Sequence, residues 1–184
     1  MNIEKLTRNP SDAPDQPRWT ETLRDGSQVV VRPLAHTDRE AERAFIEELS
    51  PESRHFRFLC TIGQPTEALL DTLTHVDQLH KVAFAAVVPE GAHERIVGVS
   101  RYTTDRDRRH AECAVTVADE WQDKGLGTAL MRHLIEFAKA HGVVHMRSVD
   151  AADNLRMRDL ARFLGFHVRV DASDASQVIY DLVI

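Results

Sequence analysis

The segment Gln122-Asp123-Lys124-Gly125-Leu126-Gly127-Thr128 lies between an alternating apolar run, Ala111–Val117, and a long helical pattern. A glycine pair at the mouth of a helix lets the backbone come close to an anion. The unpaired N–H groups of the first turn, at the positive end of the helix dipole, then point at that anion. Leu126, Leu130, Leu134 and Ala138 form one stripe, so the helix is expected to run to about His141, where Gly142 stops it. Val143–Val149 reads as a buried strand. A helical crossover between two strands of one sheet makes them parallel, so this segment alone demands a sheet with at least one parallel pair.

The remaining chain adds antiparallel neighbours. Asp25-Gly26 between Trp19–Arg24 and Gln28–Leu34 is a hairpin signal. Helical spacing follows over Asp38–Leu49, from Ser50-Pro51-Glu52 to about Leu59, and from about Thr66 to His75. Strand patterns at Val82–Val88, Arg95–Tyr102 and Ala111–Val117 have short connections, which favour a meander. Asn154 caps a last helix over Leu155–Leu164, and strands near Phe166–Val170 and Gln177–Leu182 close the chain. The expected class is α/β with a mixed sheet. Residues 1–17, with Pro10, Pro14 and Pro17, read as a flexible tail, and 18–184 as one domain.

Composition narrows the function. Two cysteines, Cys60 and Cys113, cannot build a disulfide framework or a cysteine-rich zinc site, and both read as inert buried thiols. No Cys-x-x-Cys spacing occurs, and the His-x-x-x-His spacing of His141 and His145 straddles Gly142, where the helix stops, so no metal is expected. The longest apolar run, Val82–Val88, is too short to cross a membrane, and the N-terminus lacks a signal-peptide core. A cytoplasmic protein that uses neither membrane nor nucleic acid is expected, the net charge of −6 suiting amine partners better than phosphate backbones.

Two nucleotide folds compete for the glycine loop. A dinucleotide site would gain a ribose acid from Asp150, but its third glycine position is Leu130 and Ala118–Lys124 is too long for the tight turn. A Walker loop fails because Lys124 precedes the glycines.

The pattern Val117 followed by Gln122, Gly125 and Gly127 resembles the pyrophosphate loop of the GNAT superfamily of N-acyltransferases, Val-x-x-x-x-Gln/Arg-x-x-Gly-x-Gly. That family's second motif, Asn followed eleven and twelve residues later by Gly-Phe, is matched by Asn154, Gly165 and Phe166. The resemblance implies a mainly antiparallel mixed sheet flanked by helices, with one parallel pair splayed around acetyl-CoA. It also implies that Val115 and Val117 pair with pantetheine amides. The pyrophosphate would meet the N–H groups of Gln122, Asp123, Lys124, Gly125, Leu126, Gly127 and Thr128. Asn154 would cap its helix and touch the cofactor, and the N–H near Val117 would meet the oxyanion.

Acyl transfer to a lysine, whose amine has a pKa near 10.4, needs a base. Glu112 stands ten residues before Gln122, where the resemblance places the general base of many protein-lysine acetyltransferases. On a largely apolar strand a carboxylate would be a stronger base through desolvation. Many relatives carry a Tyr seven residues after the motif Asn as general acid; here that residue is Ala161, and neither Tyr102 nor Tyr180 fits the motif.

Leu49-Ser50-Pro51-Glu52-Ser53-Arg54-His55-Phe56-Arg57-Phe58 is similar to a segment of bacterial protein-lysine acetyltransferases (Pat-like) that modify acyl-CoA synthetases. Read from its periodicity alone it is a capped helix with Phe56 and Leu59 inward and its arginines in water. The resemblance therefore implies acetyl transfer from acetyl-CoA to a protein lysine. A small-molecule amine acceptor and a non-catalytic CoA-binding sensor are the alternatives.

Overall fold

A computed structural model describes residues 17–60 and 63–184; the expected tail lies outside these residues apart from Pro17. The described residues form one eight-stranded sheet. Strands β1 (Trp19–Thr22), β2 (Gln28–Pro33), β3 (Lys81–Glu90), β4 (His93–Thr104) and β5 (His110–Val117) follow one another antiparallel. Beyond them lie β6 (His145–Ala151), β8 (Gln177–Val183) and, at the edge, β7 (His167–Val170). Only β5 and β6 run parallel, as the crossover helix requires.

Both faces of the sheet are covered, and β3 records this in its alternation. Val82, Phe84 and Ala86 enter one core, while Ala83, Ala85 and Val87 enter the other. The first core holds the apolar stripe of α4 (Leu126–Ala140), with Leu130 and Leu134 fully buried, and receives Met157 and Ala161 from α5 (Leu155–Phe163). The second holds Phe45 and Ile46 of α1 (Arg39–Glu48) and Leu70 and Leu73 of α3 (Glu67–Thr74). Between α1 and α3 comes α2 (Pro51–Phe58), which packs on β5 and β6.

The helix starts obey capping chemistry. Ser50 Oγ accepts from Ser53 N at 3.1 Å, with Pro51 at the first helical position, and Leu59 ends α2 in the left-handed region. Thr66 caps α3 and Asn154 caps α5.

One boundary moves. The strand expected at Val143–Val149 is displaced to His145–Ala151, because Val143 is still tied to the helix exit through Ala138 O at 3.1 Å. At the far end, pairing with β8 continues to Ala151, opposite Gln177, and so extends the strand.

Candidate active site

The parallel pairing of β5 with β6 covers only His110, Ala111 and Glu112 against His145, Met146 and Arg147. Past Glu112 the two strands part, each still held by its outer neighbour. Ala118 N donates to Val97 O at 2.9 Å, so Ala118 turns its amide toward β4. Backbone groups alternate along a strand, and the amides of Val117 and Val115 therefore face the split. Gln122 Nε2 donates to Val117 O at 3.1 Å and to Ser53 Oγ at 3.1 Å, fastening the loop to both β5 and α2.

A cleft of about 420 Å³ occupies this split. Of the residues the sequence pointed to, it brings together Val115, Val117, Gln122, Asp123, Gly125, Leu126, Gly127, Thr128 and Asn154. The glycines have different reasons. Gly125 caps α4 at φ +91°, a conformation that costs other residues dearly, and the Arg24 side chain lies over it. A Cβ on Gly127 would come within 3.2 Å of Leu160 Cδ2, so this glycine lets α4 approach α5. The first-turn N–H groups of the fifteen-residue α4 have no partner within their helix. Thr116 Oγ1, on the cleft wall, is buried without a partner among the described residues.

Lys124 is not among the cleft-lining residues. Its Nζ pairs with Asp25 at 3.1 Å and sits 4.9 Å from the Trp121 ring centroid. Hydrogen bonds from Ser27, then from Lys124, pull the Asp25 carboxyl down to about 2. The cations on the cleft are Arg24, Arg57 and Arg156, the last 3.5 Å from Asp123. Sequence reasoning missed Arg24, since a residue at a hairpin turn carries no local mark of the distant loop it covers.

Asn154 performs its capping role, with Oδ1 accepting from Met157 N at 3.1 Å. Its amide is spent on Asp150, reaching both carboxylate oxygens at 3.2 Å. Asp150 lines the cleft from β6 and also accepts from Ala151 N at 2.7 Å. Burial pushes its carboxyl up to about 6, against the pull of these hydrogen bonds. In the sequence Asp150 falls just beyond the expected strand, as a ribose acid would; the shift of β6 to His145–Ala151 brings it inside the strand, on the buried face with Met146 and Ser148.

Glu112 stands at the apex where pairing stops, opposite Arg147 on β6 and Thr103 on β4. It is exposed, so nothing covers it as an apolar strand had suggested. Its side chain belongs to a second cavity of about 730 Å³ rather than to the cleft. Arg57 lines both spaces. This corrects the expectation that the arginines of α2 face water: α2 lies across the split and carries Arg57 inward.

The model of the acetyltransferase (GNAT) family matches residues 41–166. The chain belongs to the GNAT acetyltransferases. It is 45% identical to the acetyltransferase PA5475 of Pseudomonas aeruginosa over all 184 residues, 99% of that protein. Identity to the acetyltransferase Pat of Mycolicibacterium smegmatis is 33%, over 78% of this chain and 42% of that protein. The GNAT domain of S. lividans PAT superposes with a TM-score of 0.82 at 23% identity, covering 91% of this chain and 97% of that one. The GNAT sheet, mostly antiparallel with one parallel pair, is the fold the motifs implied.

The GNAT tyrosine position is filled by Ala161, fully buried. The hydroxyls of Tyr102 and Tyr180 are buried without partners among the described residues, and neither tyrosine lines the cleft. Burial drives the Tyr102 hydroxyl up to about 12. Cys113 is buried, which pushes its thiol up to about 12 and makes it inert, whereas Cys60 is exposed, contrary to expectation. Asp105, Asp107 and His110 gather within 4.8 Å on the surface, with His110 Nδ1 3.1 Å from Asp105. No helix among the described residues is long and apolar enough to cross a membrane.

Proposed function

We propose that this GNAT acetyltransferase moves an acetyl group from acetyl-CoA to the side-chain amine of a protein lysine, with Glu112 as general base. The observation that carries the proposal is the split that opens at Glu112 and leads along the free edge of β5 to the unpaired N–H groups of α4. An amide-bearing arm suits a strand edge with unpaired groups, and a pyrophosphate suits a helix N-terminus. Val115 and Val117 would pair with pantetheine, and the N–H groups from Gln122 to Thr128 would hold the phosphates, with Arg24 and Arg156 supplying charge. Lys124 contributes its backbone only. Asn154 orders the cleft wall through Asp150.

The acceptor amine enters from the second cavity. Glu112 takes its proton, directly or through a water, and the neutral amine attacks the thioester carbonyl. A backbone N–H of β5 that faces the split, in the stretch leading to Val117, meets the oxyanion. The attached nitrogen loses its second proton to solvent, the thioester C–S bond breaks and CoA leaves as a thiolate, which a thiol pKa near 8.5 permits without a tyrosine acid. The similarity of Leu49–Phe58 to the lysine acetyltransferases, with the likeness to Pat, supports lysine over a small amine. Cytoplasmic action accords with such a substrate.

The test is thiol release from acetyl-CoA with and without a lysine-rich protein. Lysine-dependent release with acetylated lysines supports the proposal. Acetylation of small amines alone would replace the acceptor. The two buried tyrosine hydroxyls favour one rival, a CoA-binding sensor. It predicts binding without transfer to any amine.

A further inference from the structure

The second cavity is electropositive although the chain as a whole carries a net charge of −6. Its charged walls divide into partnered and unpartnered groups. Arg101 is satisfied by Glu42 at 2.6 Å and by Leu73 O at 2.9 Å. Asp105 is engaged by His110 at 3.1 Å, and His145 by Asp181 at 3.3 Å. Arg57, Lys81 and Arg147 have no side-chain hydrogen bond or ion pair to any described residue. The only unpartnered carboxylate facing them is Glu112.

Three cations without partners, Arg57, Lys81 and Arg147, outnumber the carboxylates of Glu112 and Asp105 on the same walls and leave an excess of positive charge where the acceptor must enter. Arg57 marks the point most clearly, since it stands at the junction of the cavity and the donor cleft. Burial, and then the charge of Arg101, bring its guanidinium down to about 10, against the more distant pull of the Glu42, Asp150 and Glu112 carboxylates. A guanidinium held without a partner beside a reaction centre matches a carboxylate in two-point geometry. Lys81 and Arg147 are exposed on the cavity wall and suit looser charge pairing. A cavity of one sign raises the local concentration of ligands of the opposite sign.

We propose that this cavity selects acceptors carrying carboxylates beside the reacting amine, specifically a lysine flanked by Asp or Glu. This rests on the acetyltransferase reading above and names the substrate class of the same site. Net charge alone had pointed the other way, toward cationic partners, because it averages over surfaces that the acceptor never meets. The acidic flank would be drawn to Arg57, Lys81 and Arg147, leaving the lysine amine to Glu112.

The experiment measures thiol release at saturating acetyl-CoA with three blocked peptides, each holding one lysine flanked by Asp/Glu, by Ala/Ser or by Arg. The expected kcat/KM is about tenfold higher for the acidic peptide than for the neutral one, chiefly through KM, with the basic peptide slowest and the advantage shrinking as salt rises. In the double variant Lys81→Ala/Arg147→Ala, which changes two exposed residues, the acidic-to-neutral ratio falls to about twofold or less. Free aspartate and glutamate form a further arm. If they are acetylated better than any peptide and the double variant removes that advantage, carboxylate recognition stands but its source is an amino acid. A flat or basic-first ranking in an enzyme that turns over overturns the inference. Absence of transfer to every amine, with acetyl-CoA still raising Tm, fails the acetyltransferase proposal itself.

Discussion

Asp150 carries a titration imposed by the fold. Its carboxyl is about 6 in the folded protein against an ordinary 3.8, so between about pH 4 and 6 the folded chain keeps a proton that the unfolded chain has released. Stability therefore falls as pH rises through that window and is flat above it, a cost on the order of 2–3 kcal/mol at neutral pH. Asp150→Asn removes this slope. Melting curves from pH 4 to 7 should show the variant gaining on the wild type up to pH 6; parallel curves would exclude the effect. Glu112→Gln is expected to keep acetyl-CoA affinity, since Glu112 lies outside the cleft, while turnover drops by about two orders of magnitude. Titration calorimetry and initial rates separate the two. Glu112 was legible from motif spacing, but its exposure was not, because alternation assigns a face without saying whether anything covers it. Arg57 was legible as a helix residue only, since its place at the split depends on how α2 packs.

At the scale of elements, α2 is held to the loop by a carboxylate. Asp119 accepts from Ser50 N at 2.9 Å, Ser50 Oγ at 2.7 Å and Ser53 Oγ at 2.8 Å, and Ser53 in turn accepts from Gln122. Partial burial pushes the Asp119 carboxyl up, but these hydrogen bonds outweigh it and the group ends below its ordinary value. Its contribution is present at neutral pH and is lost as pH falls through the folded value. Asp119→Ala should cost about 1–3 kcal/mol and raise KM for acetyl-CoA several-fold by freeing Gln122. Thr66→Ala, which removes the α3 cap at a cost of about 1 kcal/mol, should leave that KM alone, since α3 lies off the cleft. A shift in KM by both variants would mean that general loosening, not the α2 tether, controls the loop. Most elements were readable because Ser50, Thr66, Gly125 and Asn154 mark helix starts through local chemistry. The β6 displacement was not, since Val143-Val144 looks the same leaving a helix as entering a strand.

For the whole molecule, the sheet places the cleft and the second cavity, the spaces proposed for donor and acceptor, on either side of the point where β5 leaves β6, with Arg57 between them. A ligand bound only by the folded state raises Tm by mass action. Acetyl-CoA should do so and NADH should not, because the third dinucleotide glycine is replaced by Leu130, which is buried in the core. A shift with NADH alone would return the loop to a dinucleotide role. The hairpin, the meander and the parallel pair followed from connection lengths in the sequence, whereas the insertion of β8 between β6 and β7 did not. The two cavities did not, because their walls come from α2, α3, β4 and β6 at distances no local pattern reports. The central claim is Glu112-dependent acetyl transfer from acetyl-CoA to protein lysines. It is tested most directly by incubating a cell lysate with labelled acetyl-CoA and either wild type or Glu112→Gln, then locating the label by mass spectrometry. The expected result is label on lysine side chains with the wild type and almost none with the variant. Label confined to small molecules, or equal labelling by both proteins, would contradict the account.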